Sequence, residues 1–470
     1  MLDSCQIQTP IEYAKKMLDY AGYRKNLYGK RVLENSCGEG NILCEIVSRY
    51  IEDAINLGYS NTLIVQGLEK DIEGIEIDNN KVIICIENLN HILKKYDIGD
   101  VRWNVHKNDY LKSKNKKYNF IIGNPPYITY HDMDETQREY LKKRYVSCKR
   151  GRFDYCYAFI EKSLKSLKKD GILVYLVPYS IIKNKFAFDL REMIQPYVFQ
   201  IYDYSGIKVF PDALTSSIVL ICKNQKNNEN IQYFSVKKKT EQEFNRNDLK
   251  DKWSFSIDNK EKGKKFGNYF EVYNSVATLL NDAFLLEDYE ENEHYILIDG
   301  QRIEKEITYP AISAKSINRK KDKKELLIIF PYSYKNGKLN SYDLDEFQKK
   351  FPGTYMYLNG YRGKLDQRKK DKGAEWFEYG RSQALSRVFG AKLVMPMVIT
   401  NGVKTHYGTR KAIPYAGYFI KCRRGSALKL SDAKKILESQ DFFDYVTKCG
   451  TPTTTTSYRI TVDDIKEYRF

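Results

Sequence analysis

Residues 30–51, KRVLENSCGEGNILCEIVSRYI, restrict the fold more than any other stretch of the chain. They read as a short apolar strand, a glycine-punctuated loop and a helix, the repeating unit of an α/β sheet. More short apolar segments follow at EGIEID (73–78), VRWNVHKNDY (101–110) and YNFIIGN (118–124). GILVYLVPYS (171–180), FQIYDYS (199–205) and SSIVLICKN (216–224) continue the series. A helix is predicted over 11–21, where Ile11, Ala14, Met17, Leu18 and Ala21 recur at helical spacing after the Thr9-Pro10 start signal, and another around 154–168. Strands alternating with helices predict a doubly wound α/β sheet, with ligands at the carboxyl ends of its strands.

A chain of 470 residues is long for one core, and its 42% hydrophobic content suffices for two. Its character changes between about 223 and 265, where KNQKNNENIQYFSVKKKTEQEFNRNDLKDKW is polar and charged. Domains are therefore expected at 1–240 and 265–470, joined by a linker or peripheral segment at 241–264. The second is expected to be an irregular α+β domain. Lys+Arg of 78 against Asp+Glu of 61 gives a net charge of +17. That charge suits a polyanion, nucleic acid before an anionic membrane surface, and it equally suits a solvated lysine-rich exterior. The nine scattered cysteines form no CxxC pair, which predicts reduced thiols in the cytoplasm, no disulfide framework and no metal site. No apolar run approaches the roughly 18 residues of a membrane span, and no leader is expected.

Chemistry concentrates at predicted strand ends. Gly38 and Gly40 would let backbone approach a ligand at the start of a helix, although the third glycine of the dinucleotide fingerprint is missing. Glu76 ends the next strand, where an acid can accept ribose hydroxyls or be a plain surface carboxylate. Asp109-Tyr110 ends a third, offering an acceptor for an exocyclic amine and a ring to stack on a purine. After FIIG come Asn124, Pro125, Pro126 and Tyr127. The prolines lack N–H groups and fix φ, so the turn is rigid and presents carbonyls. The Asn124 side-chain oxygen and the Pro125 carbonyl could each accept one hydrogen of an aromatic amino group. That pulls the nitrogen toward tetrahedral geometry and frees its lone pair to attack an electrophile, with Tyr127 as a flat face for the base.

These motifs, in this order, resemble the γ-type N6-adenine DNA methyltransferases of restriction–modification systems, of the TaqI-like and Eco57I-like group. The resemblance implies a Rossmann-like S-adenosylmethionine-dependent catalytic domain, with S-adenosyl-L-methionine as cofactor, followed by a DNA-recognition domain. QTP (8–10) is similar to the segment that closes over the methionine part, implicating Thr9. VLENSCGEGN resembles the cofactor loop, implicating Glu34, Cys37, Gly38 and Gly40, with Asn35 in place of the usual proline. GIEID assigns Glu76 to the ribose and Ile77 to the adenine face; NDYL assigns Asp109, beside Tyr110, to the adenine amine. NPPY is the catalytic motif, Asn124 also bordering the cofactor. KVFPDALTSSIVLI (208–221) assigns Phe210 to the extruded target adenine, stacked with Tyr127.

The C-terminal half resembles the TaqI-like specificity domain through ITYPAISAKSINR (307–319), IIFPY (328–332), the Arg/Trp cluster around Arg368 and Trp376, and a terminal SYR. Arg362, Arg368, Lys369 and Arg381 are the expected DNA contacts, some on phosphates and some on base edges. Double-stranded DNA is the expected partner and a monomer the expected state. Pro211-Asp212 is followed by no acid-x-Lys at nuclease spacing. The chain is therefore expected to be a methylase alone, solitary or paired with a separate endonuclease. RNA adenine, a protein glutamine or cytosine N4 as acceptor, and an inactive DNA-binding subunit, are the competing readings.

Overall fold

The computed structural model describes residues 8–210, 216–225, 230–249, 252–253, 255, 263–314, 324–335, 338–454 and 456–470. Asp212 and residues 315–319 of the ITYPAISAKSINR stretch lie outside the described residues. Two compact units comprise Met1–Ser256 with Thr451–Thr456, and Ile257–Gly450 with Ser457–Phe470. Among the described residues, no helix is long and apolar enough to cross a membrane.

The first unit is built on a sheet of nine strands among the described residues, ordered β3-β2-β1-β4-β5-β7-β6-β8-β9. β1 (Val32–Glu34) lies parallel between β2 (Ile72–Glu76) and β4 (Tyr118–Gly123), with Val32 opposite both Ile72 and Phe120. β3 (Asn104–Lys107) extends one side in parallel, and β5 (Leu167–Pro178) extends the other. Antiparallel β7 (Ser217–Lys223) separates β5 from β6 (Val198–Asp203), and β8 (Ile231–Ser235) and β9 (Thr240–Phe244) finish the edge. Within the polar stretch 241–264, β9 belongs to this sheet and Trp253 is buried in this unit's core.

Adjacent residues of the central strands point to opposite faces, as the period of two requires. Val32, Ile122 and Val174 pack with helices α1 (Ile11–Tyr20), α2 (Asn41–Asn56) and α4 (Asn79–Lys95). Leu33, Ile121 and Leu173 pack on the other face, against α5 (Glu135–Arg144) and α6 (Cys156–Lys165). α2 buries Ile42, Leu43, Ile46, Val47, Tyr50 and Ile51 on one stripe. Each such aliphatic side chain contributes about 1.5–3 kcal/mol of burial. The long interval between Gly40 and Glu76 accommodates α3 (Asn61–Asp71), capped by Ser60. Because the chain winds outward from β1 in both directions, a crevice opens beyond the carboxyl ends of β1 and β4.

The second unit is α+β, with short strands in several small sheets. One joins Phe270–Asn274, Tyr418–Cys422, Lys392–Met395 and His406–Gly408. Its cores are aromatic: Phe330, Tyr332, Tyr379 and Trp376 fill one, and Phe266, Phe270, Phe442 and Tyr468 another.

Candidate active site

The loop after β1 is fixed by its own backbone. Cys37 N–H donates to the Ile75 carbonyl (3.1 Å), tying the loop to β2, and Gly40 N–H donates to the Cys37 carbonyl (2.8 Å). Gly40 has φ +92°, and a Cβ there would sit 2.7 Å from Cys85 Sγ on α4. Only glycine meets both conditions. Gly38 N–H donates to Glu76 Oε2 (2.9 Å), while Glu76 Oε1 accepts from the N–H groups of Ile77 (2.8 Å) and Asp78 (3.1 Å). The Glu76 carboxylate thus joins the cofactor-type loop to the end of β2.

Two clefts open at these strand ends, and they share Ser36 and Pro126. The first is bordered by Thr9, Glu34, Cys37, Gly38 and the whole of Asn124-Pro125-Pro126-Tyr127. Glu34 is buried beside it with Oε2 lacking a hydrogen-bond partner; burial, with Glu76 adding, raises its carboxyl well above the ordinary range. The second cleft holds Glu76, Ile77, Asp109 and Tyr110. Ile77 is 45% exposed, an apolar surface facing open space. Asp109 is held by Leu111 N–H (3.0 Å) and Lys112 Nζ (3.4 Å).

Loops from four parallel strands, with Thr9 ahead of α1, therefore place the residues singled out on the first 130 positions along two adjoining clefts. Gly40 stands slightly apart, closing the turn into α2. Two aromatic side chains differ from expectation. Tyr110 offers no open ring face: it is buried against Phe159 (5.4 Å between centroids) with Lys162 Nζ over it (4.6 Å), and its hydroxyl pairs with Ser163 Oγ (3.0 Å). Phe210 is 1% exposed and meets Tyr127 edge-on, 6.4 Å between centroids at 80°. A base can stack on it only after that contact opens. The Tyr127 hydroxyl is itself buried, and burial pushes it above its usual range.

Sequence reasoning passed over a network beneath the turn. Asn35 Nδ2 donates to Ser163 Oγ (3.0 Å) and to the Tyr175 hydroxyl (2.5 Å), and Ser163 Oγ also pairs with Tyr175 (2.6 Å). Ser36 Oγ–H donates to the Asn124 carbonyl (3.0 Å), so the two loops are stitched directly. The departure from proline at Asn35 was the available signal. Also passed over was α5, whose Thr136, Gln137, Tyr140 and Leu141 wall the second cleft.

The four basic residues expected on DNA separate sharply. Arg368 is 9% exposed, and its guanidinium donates to the carbonyls of Leu365, Thr278, Trp376 and Glu378. It is an internal clamp of the second unit, which corrects its assignment as a DNA contact. Arg362 stacks on Trp376 (4.3 Å) and pairs with Asp366 (2.7 Å); Arg381 pairs with Asp371 (3.0 Å). Lys369 is exposed.

Residues 26–210 match the family described as Eco57I restriction-modification methylase. The type II restriction enzyme and methyltransferase RM.Eco57I of Escherichia coli is 25% identical over 333 residues, 62% of this chain and 33% of that protein. The modification methylase CviBIII of Paramecium bursaria Chlorella virus NC1A is 28% identical over 187 residues, 40% of this chain and 41% of that protein. The type II methyltransferase M.AccI of Acinetobacter calcoaceticus is 25% identical over 293 residues, 53% of this chain and 51% of that protein. The chain thus spans between a third and about half of these curated relatives. Its fold is similar to that of the type IIL restriction-modification enzyme MmeI, solved in complex with DNA, with a TM-score of 0.61 at 11% identity, over 97% of this chain and 64% of that one.

Proposed function

We propose that this chain, whose residues 26–210 match the Eco57I restriction-modification methylase family, methylates the N6 amino group of adenine in duplex DNA at the expense of S-adenosyl-L-methionine. The observation that carries the reading is the seam of the two clefts: Asn124-Pro125-Pro126-Tyr127 borders the first, and its Pro126 also borders the second, which Glu76, Asp109 and the exposed Ile77 line.

The donor set fits the cofactor. Glu76 and Asp109 are acceptors suited to ribose hydroxyls and an adenine amine, Ile77 offers an apolar face for the purine, and the unpartnered Glu34 oxygen borders the cleft that Thr9 also lines. When bound, the cofactor supplies an electrophilic methyl group. Asn124 and the Pro125 carbonyl take the hydrogens of the target amine and localise its lone pair. Tyr127 provides the stacking face. A duplex adenine reaches this depth only by flipping, at a cost of a few kcal/mol. Base–aromatic stacking, worth roughly 1–3 kcal/mol per base, offsets part of it. The second unit reads the duplex, and the protein works as a cytoplasmic monomer, with or without a separate endonuclease.

The test is incubation of the purified chain and methyl-labelled cofactor with duplex DNA, with RNA and with a protein extract in parallel, followed by nucleoside and amino-acid analysis. Label in N6-methyldeoxyadenosine is expected. Label in cytosine, in RNA alone, in a protein glutamine, or nowhere, overturns the reading.

A further inference from the structure

We propose that the basic segment 142–152 of the first unit grips the phosphates that flank the adenine being methylated. This rests on the reading of the site as a DNA methyltransferase, and assigns part of DNA binding to the catalytic unit itself.

The segment is an excursion from the rim of the second cleft. It leaves from Tyr140 and Leu141 and returns to Tyr155, all three lining that cleft. Tyr155 N–H donates to the Ile128 carbonyl (2.9 Å), one residue beyond Tyr127. Arg152 precedes Tyr155 by three residues, so its backbone lies within about 10 Å of the rim even if the chain is fully extended.

The excursion is anchored. Tyr145, Ser147, Cys148 and Phe153 are buried, Tyr145 donates its hydroxyl to the Leu111 carbonyl (2.8 Å), and Ser147 N–H donates to Glu161 Oε2 (2.8 Å). Around these anchors Lys142, Lys143, Arg144, Lys149, Arg150 and Arg152 are all exposed, and residues 140–153 contain no Asp or Glu. Arg150 is bidentate on Asp189, and Lys143 is 4.0 Å from Glu139. Lys142, Arg144, Lys149 and Arg152 have no carboxylate partner among the described residues.

Like charges fixed on a rigid segment repel one another, and a polyanion relieves that repulsion. Half of these cations are arginines, whose planar forks match phosphate oxygens. The basic stretch of the second unit differs, because Asp366 and Asp371 neutralise two of its arginines and carbonyls engage a third. Holding the flanking phosphates would also steady a backbone distorted by base flipping.

The experiment replaces Lys142, Arg144, Lys149 and Arg152 together by Gln and measures duplex binding across a salt series, beside thermal unfolding and cofactor binding. With about 0.9 of log–log slope per phosphate, the slope should fall by about 3–4. The KM for DNA should rise by roughly tenfold or more, while cofactor affinity and unfolding temperature stay unchanged. A second variant carrying K142R, R144K, K149R and R152K keeps the charge and should keep the slope. A Gln variant with wild-type slope and KM, in a wild type that methylates DNA, overturns the proposal. A wild type that transfers no methyl group to DNA overturns the functional reading instead.

Discussion

Glu76 and Arg368 are both nearly buried and both bound to backbone, one at the crest of the parallel sheet and the other in the basic stretch of the second unit. Glu76, 2% exposed, accepts three N–H groups yet borders a cleft. Arg368 directs its guanidinium N–H groups at four carbonyls inside its own unit. Backbone N–H groups hold the Glu76 carboxylate at the border of a cleft, whereas carbonyls hold the Arg368 guanidinium within the interior of its unit. Charge alone therefore says little about function. What matters is whether the held group borders open space or the interior.

The sharpest way to break this contrast is at the cofactor-type loop. Gly40→Ala must adopt a left-handed φ and displace Cys85, whereas Gly38→Ala, at φ +53°, meets nothing within 4 Å. The first should cost about 3–4 kcal/mol of stability, or the equivalent in cofactor affinity, and the second about 1 kcal/mol. Thermal unfolding and calorimetry check both; equal effects would show that the Cys85 contact is irrelevant.

Next in size, Glu76→Ala and Asp109→Ala should each weaken S-adenosylmethionine binding by about 2–3 kcal/mol, Glu76 more because the loop also loses its tie to β2. Unchanged calorimetric affinity in both would move the cofactor elsewhere. On the other side of the comparison, Arg368→Ala should destabilise the second unit by about 2–3 kcal/mol and leave the salt slope of DNA binding intact. Lys369→Ala should do the reverse, shifting stability by less than about 0.5 kcal/mol and lowering the slope by about one if the ammonium meets a phosphate.

A smaller effect than at Glu76 or Arg368 is expected at Tyr175→Phe, which removes the hydroxyl joining Asn35 to Ser163. It should cost about 1–2 kcal/mol of stability. It should also lower kcat more than it raises the KM for DNA, because the network lies under the turn proposed to act on the amine. A KM effect alone would make the network mere packing.

Much of the first unit was legible because its determinants are backbone properties written in residue type. Glycines at Gly38 and Gly40, prolines at Pro125 and Pro126, and acids at strand ends announce conformation locally. The interval filled by α3 showed as excess length before Glu76. What remained hidden depends on long-range burial. Nothing near Phe210 in sequence shows that Tyr127 covers it, and nothing in YRGKLDQRKK shows Thr278 and Trp376 closing on Arg368. α5 escaped notice because a half-exposed cleft wall such as ETQREYLKKR carries a single buried apolar residue, Leu141, and so no periodic signal.

The central claim is that the NPPY turn acts on an amine after binding is complete. Asn124→Ala tests it in one preparation, by measuring cofactor affinity calorimetrically and N6-methyldeoxyadenosine formation in duplex DNA. Affinity within about twofold of wild type with transfer reduced by at least roughly a thousandfold, about 4 kcal/mol of lost transition-state stabilisation, is the predicted result. Full methylation by Asn124→Ala would contradict the account.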